Sequence, residues 1–142
     1  MNRNIDTENR YRKYRKTNNS DLCVFCNPPN AQVIKELKYF RVLANEFPYD
    51  KWDYRQVEKH LMLVSKKHYV SLSEFSKKEK DEYTDTIIEY EKKGYNIYTR
   101  TNSNGSKSVG HVHTHLIKTN SNEFIALTYQ KEPYISKATY AS

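Results

Sequence analysis

The apolar residues of this chain fall into short blocks whose spacing alternates between strand and helix periods. "HLMLVSK" (60–66) is an apolar run of strand length and reads as a buried strand. "QVIKEL" (32–37), "YFRVLAN" (39–45) and "YNIYTRT" (95–101) read as further strands, the first weakly patterned. Ser76 followed by Glu79 has capping-box spacing and opens a helix that runs to about Lys93. Tyr83, Ile87 and Tyr90 share one face of it, and Gly94 is the expected stop. "VGHVHTHLI" (109–117) and "EFIALTY" (123–129) are two more strands. "CNPPN" (26–30) is a turn, because its proline pair forbids helix. Residues 45–59 read as an irregular polar-aromatic loop, and "NSNGS" (102–106) as a tight one. With no internal repeat, this order predicts an α+β fold: an antiparallel sheet of about five strands with one main helix packed on a face.

Composition places limits on that fold. At 142 residues the chain forms one domain that buries a real core. Its hydrophobic share, 37%, is low, and 13 tyrosines compensate with apolar area carrying a polar tip. No apolar run is long enough to cross a bilayer and no signal-peptide pattern is present. The expectation is therefore a soluble cytoplasmic protein with no membrane partner. The net charge of +7 is uneven: residues 1–20 carry Arg3, Arg10, Arg12, Lys13, Arg15 and Lys16 against Asp6 and Glu8. Residues 1–21 read as a basic arm outside the main fold, and 22–142 as the domain. The arm is either a solvated or helical extension or a patch for RNA or another polyanion, with Tyr11 and Tyr14 placed to stack on bases.

Three of the five histidines, His111, His113 and His115, alternate strictly. In a strand they form one row on one face, roughly 6 to 7 Å from each to the next. The Asn/Ser/Gly loop before them offers backbone N–H groups, and Lys107 adds a cation. Imidazoles, hydroxyls and a cation together suit a phosphoryl centre, where a histidine nitrogen attacks phosphorus and a neighbour assists the leaving group. A three-histidine zinc centre activating water is the rival, although no acidic residue follows before Glu123. Cys23 and Cys26, with two residues between them in a turn, read as a metal pair, a redox couple or two free thiols.

"HVHTHLI" resembles the histidine-triad motif, His-φ-His-φ-His-φ-φ, that names the HIT superfamily of nucleotide hydrolases and transferases; Thr114 at a hydrophobic position is a mild departure. The surrounding order resembles it too: "CVFC" early, Asn45 closing a strand, then "HLMLVSKKHYVSLSEFS" (60–76) with its Lys-x-His step and short-helix entry, then "NSNGSKSVGHVHTH". The resemblance spans roughly residues 22–130 and is closest to the small HIT hydrolases. It implies a sheet with one main helix plus a short one, and a homodimer.

The resemblance implies site roles as well. His113 is the nucleophile that takes the nucleotidyl group, His115 binds phosphate or assists departure, and Ser108 donates to the scissile atom. Asn45 holds the ribose hydroxyls of a purine nucleotide, and Asn102, with Asn104 as rival, belongs to the phosphate loop. His60 lines the pocket against the nucleotide or is a strand-start polar residue; Trp52 and the tyrosines around it either cover a base or, the favoured reading, pack the core. Lys107 stands where many members have Gln, a cation that suits a more anionic leaving group. Some members bind structural zinc through four residues that match Cys23, Cys26, His68 and His111. The implied reaction is cleavage at the α-phosphate of a dinucleoside polyphosphate or phosphoramidate through nucleotidyl-His113. The competing readings are a nucleotide or RNA binder with little turnover, and a metallohydrolase.

Overall fold

The computed structural model describes residues 2–18, 22–103, 107 and 109–140. The elements are α1 (Ile5–Thr17), β1 (Val33–Glu36), β2 (Phe40–Ala44), β3 (Lys51–Trp52), β4 (Arg55–Ser65), α2 (Lys77–Lys92), β5 (Asn96–Thr99), β6 (His113–Gln130) and β7 (Ile135–Tyr140). Short 3-10 turns sit at Asn30–Gln32 and Leu72–Glu74. Every strand pairing is antiparallel, in the order β1-β2-β4-β6-β5, with β3 added to β4 and β7 to β6. The α+β architecture is as expected; the sheet has seven strands rather than about five.

The central strands separate two apolar layers by alternation. Phe40, Val42, Leu63 and Leu116 face α2 and pack with Phe75 and Tyr90. Leu43, Met62 and Val64 point to the other face, with Phe25. Across the ladder Val64 opposes His113 and Met62 opposes His115, so the two histidines lie on the face away from α2. Thr114 points toward α2, where its hydroxyl lies 2.8 Å from that of Tyr83 and 2.6 Å from that of Thr99. All three hydroxyls are thereby partnered, so a hydroxyl is tolerated at a buried position. Ser76 and Glu79 form the expected capping box, and Gly94, at φ +87, ends the helix.

Three expectations change. The strand read at 109–117 begins only at His113, because Val112 N–H donates to the Tyr69 carbonyl (2.7 Å) and His111 turns to Ser65. It then continues without a break through the strand read at 123–129, since β4 is long enough to pair as far as Glu123. Residues 45–59 are less irregular than expected. They hold β3 and the first half of β4, joined through Asp53 and Tyr54, both at positive φ (49 and 57). Two positive φ values make the tight hairpin turn whose usual sequence signal is Asn-Gly.

The basic segment is a helix, one of its two expected forms, and it lies against the domain. Asn4 caps it, acids sit in the first turn and bases in the last. Tyr11 and Tyr14 pack on Phe47, with ring centroids 5.3 and 5.2 Å away. Arg3 Nε donates to the Phe47 carbonyl (2.8 Å), the Tyr134 hydroxyl donates to the Arg3 carbonyl (2.6 Å), and Asn2 O accepts from the N–H groups of Asp50 and Lys51. Deleting residues 1–18 leaves those partners unsatisfied and should cost roughly 3 kcal/mol, or roughly 10 °C in Tm. An unchanged thermal transition in the truncated protein would show that the helix stands free in solution.

Candidate active site

The sheet brings His60, His113 and His115 together, each buried. Their proton positions follow from their partners. Tyr49 N–H donates to His60 Nδ1 (2.9 Å), so the His60 proton is on Nε2. His60 Nε2 lies 2.9 Å from His115 Nδ1 and donates to it. His115 therefore carries its own proton on Nε2, a buried atom with no partner among the described residues. His113 Nδ1 lies 2.8 Å from the His111 carbonyl and donates to it, which leaves the lone pair on Nε2. The His113 and His115 rings are 5.1 Å apart and nearly perpendicular. The site thus pairs an unprotonated nitrogen with an N–H donor; the His111 carbonyl sets the His113 tautomer, and Tyr49 N–H sets that of His115 through His60.

Burial keeps these rings neutral. It pushes His113 and His115 down, and positive charge from Arg100 adds to the effect on both. His60 falls from 6.5 to about 3, through burial first and then Arg3, His113 and Arg100. The unfolded chain binds a proton at His60 below pH 6.5, whereas the fold resists it until about pH 3. The His60 contribution to stability is therefore present above 6.5 and lost as pH falls through that window. At pH 5 the loss should be about 2 kcal/mol. Urea unfolding of the wild type against His60→Gln, from pH 7.5 to 5, checks this: the variant should show a shallower fall, and equal slopes contradict it.

Two cavities open on the pair. One, about 310 Å³, is mostly apolar and includes Asn45, Phe25, Phe47, Tyr14 and Met62. Asn45 Oδ1 accepts from Phe47 N–H (2.9 Å), which fixes its side chain in the wall. The other, about 390 Å³, is mostly polar. Asn102 is exposed and lines neither. Lys107 Nζ donates to the Val70 carbonyl (3.1 Å), yet its charge still lowers His113. Ser108 and Asn104 lie outside the described residues. Trp52 is half-buried, its ring 5.0 Å from Tyr98 and stacked on Tyr49 at 6.1 Å. Arg3, Tyr49 and Arg100 join the site without having been expected there. Arg3 and the tyrosines of α1 had a signal, a Tyr pair three apart on one helix face; Tyr49 and Arg100 had none.

His111 belongs to a separate cluster. Its ring Nε2 lies 2.9 Å from the Ser65 carbonyl and donates to it, so Nδ1 is the free ligand atom. That nitrogen is 3.3 Å from Cys23 Sγ and 3.7 Å from Cys26 Sγ, and Cys26 Sγ is 3.4 Å from His68 Nδ1. All four ligand atoms lie within 4.8 Å of one another. A tetrahedral ion with metal–sulfur and metal–nitrogen bonds of about 2.3 and 2.0 Å needs sulfur–nitrogen edges of about 3.5 Å, so the four residues fit a metal. Burial first, and then the adjacent Cys23, push the Cys26 thiol up, against an opposing pull from Arg41.

A family model for the HIT domain matches residues 29–122. Among curated protein sequences no significant relative is found. Similar solved structures include a HIT family hydrolase from Legionella pneumophila Philadelphia 1, at TM-score 0.53 and 22% identity over 72% of this chain and 96% of that one. The diadenosine triphosphate hydrolase of Plasmodium falciparum, solved with Cyclomarin A, gives TM-score 0.53 and 17% identity over 82% and 83%. The histidine triad nucleotide-binding protein of Candida albicans gives 0.52 and 17% over 77% and 83%. The family match spans well over half of the chain, from the turn before β1 through the histidine pair, and the chain belongs to the HIT domain family.

Proposed function

We propose that this protein is a nucleotide hydrolase or nucleotidyl transferase acting at the α-phosphate of a purine nucleotide conjugate. The observation that carries this is the pairing of the His113 lone pair with the unpartnered Nε2–H of His115. His113 Nε2 attacks phosphorus, an N–P bond forms, and the bond to the leaving group breaks with its electron pair going to that group. His115 Nε2–H donates to a phosphoryl oxygen as charge builds there. Ser108 assists departure of the leaving group. Water then attacks the phosphorus, releases nucleoside monophosphate and restores the neutral imidazole. Asn45 holds the ribose, and Phe25 and Tyr14 flank the base in the apolar cavity. The Legionella and Plasmodium hydrolases, similar in fold, support the same reaction class.

We also propose that Cys23, Cys26, His68 and His111 hold zinc. A closed site of this kind supplies structure rather than an activated water. It would anchor the turn before β1 to the residues just ahead of His113. As the resemblance implies, the working form is taken to be a homodimer. Incubation with adenosine polyphosphates and phosphoramidates should release AMP, and an added alcohol should divert a constant fraction to the AMP ester whatever the leaving group. No AMP from any conjugate would sink this reading in favour of a nucleotide or RNA binder.

A further inference from the structure

Arg3, Tyr11, His113 and His115 belong to the walls of both cavities. The histidine pair therefore sits at a junction, with an apolar compartment on one side and a polar one on the other. Among the described residues the wall of the polar compartment brings together Arg3, Arg12, Arg15, Arg100 and Lys131 with one carboxylate, Glu8. Arg12 is committed to Glu8 and Glu132, both at 3.1 Å, and Arg3 to the Phe47 carbonyl. Arg15, Arg100 and Lys131 have no carboxylate partner among the described residues. Arg100 is oriented by the Tyr49 hydroxyl, 3.2 Å away, and lies over the Tyr98 ring. Beside these cations the Nε2 of His115, a residue 4% exposed, lacks a partner among the described residues. Converging unpaired cations and a buried unsatisfied donor call for a multiply charged anion. Four of the five cations lie in α1 and its lead-in or in the turn before β7, outside the family match at 29–122. Arg100, Tyr49 and the histidine pair, which complete the compartment, lie inside the match.

We propose that this compartment receives the leaving group, and that the leaving group is a linear oligophosphate with three or more negative charges. The proposal rests on transfer to His113. As the N–P bond forms and the P–O bond breaks, the departing chain takes the electron pair and leaves as an anion. The cations oppose the charge that grows on it. A phosphoramidate needs a proton on its departing nitrogen instead, and this cationic wall favours it less.

Inorganic tripolyphosphate is the probe. Calorimetric titration at low salt should show binding that weakens by at least about tenfold in Arg15→Gln/Lys131→Gln and in Arg100→Gln. Unchanged melting temperatures confirm that these variants fold. His113→Ala should still bind tripolyphosphate, so failure of the covalent chemistry and failure of this compartment are separable. In turnover, the kcat/KM ratio of adenosine tetraphosphate to an adenosine phosphoramidate should fall by at least about tenfold in both variants. Tripolyphosphate binding that ignores both variants overturns the proposal. So does absence of that binding while a single-stranded RNA oligonucleotide binds and is lost in the same variants, which assigns the surface to nucleic acid.

Discussion

His113→Ala should abolish turnover, by about a thousandfold or more, while nucleotide affinity changes only a few-fold. The expected size follows from the proposed step: the His113 nitrogen makes the bond to phosphorus, and nothing beside it can substitute. His115 has its lone pair spent on the His60 proton, and the His60 lone pair accepts from Tyr49 N–H. Binding survives because the apolar cavity is walled chiefly by other residues. Among the described residues the His113 ring makes a single hydrogen bond, to the His111 carbonyl, so folding should persist without it. His115→Ala should reduce turnover less, and most for substrates with poor leaving groups. Steady-state kinetics with parallel binding titrations check both variants. Activity in His113→Ala within about tenfold of wild type contradicts covalent transfer and favours the metal-activated water.

The second large effect is on the metal. Protein purified without chelator should contain one zinc per chain, and Cys23→Ser or His68→Ala should lose it. Because such an ion binds only the folded arrangement, its loss removes folding energy. A fall of more than about 10 °C in Tm is expected, since a loss of a few kcal/mol moves a domain of this size that far. Activity should follow stability, because His111 carries the backbone carbonyl that orients His113. Elemental analysis with thermal unfolding decides the matter. Metal-free protein with full stability returns both cysteines to the thiol reading.

Much of this is legible in the residues. Strict alternation gives His113 and His115 a common face, and the Ser76–Glu79 spacing marks the start of α2 correctly. The three histidines do not form one row: His111 lies outside the ladder because its ring and the neighbouring Val112 N–H bond elsewhere, and alternation does not encode those bonds. The β3–β4 hairpin is hidden because Asp53 and Tyr54 make a positive-φ turn without glycine. "KTNSN" (118–122) looks like a break but continues β6, since pairing with β4 outweighs local preference. The packing of α1 is obscured for a related reason. Its apolar face is only Tyr11 and Tyr14, and the ring they cover, Phe47, lies in a stretch that reads as loop.

Covalent catalysis requires a bond between phosphorus and His113 Nε2. Rapid mixing of protein in excess over an adenosine polyphosphate, with quenching and mass spectrometry, tests it directly. The expected result is a transient gain of one adenylyl group per chain, mapped to His113, that forms before free AMP and decays as AMP appears. AMP released at full rate with no adduct at any time, or with an adduct on another residue, would contradict it.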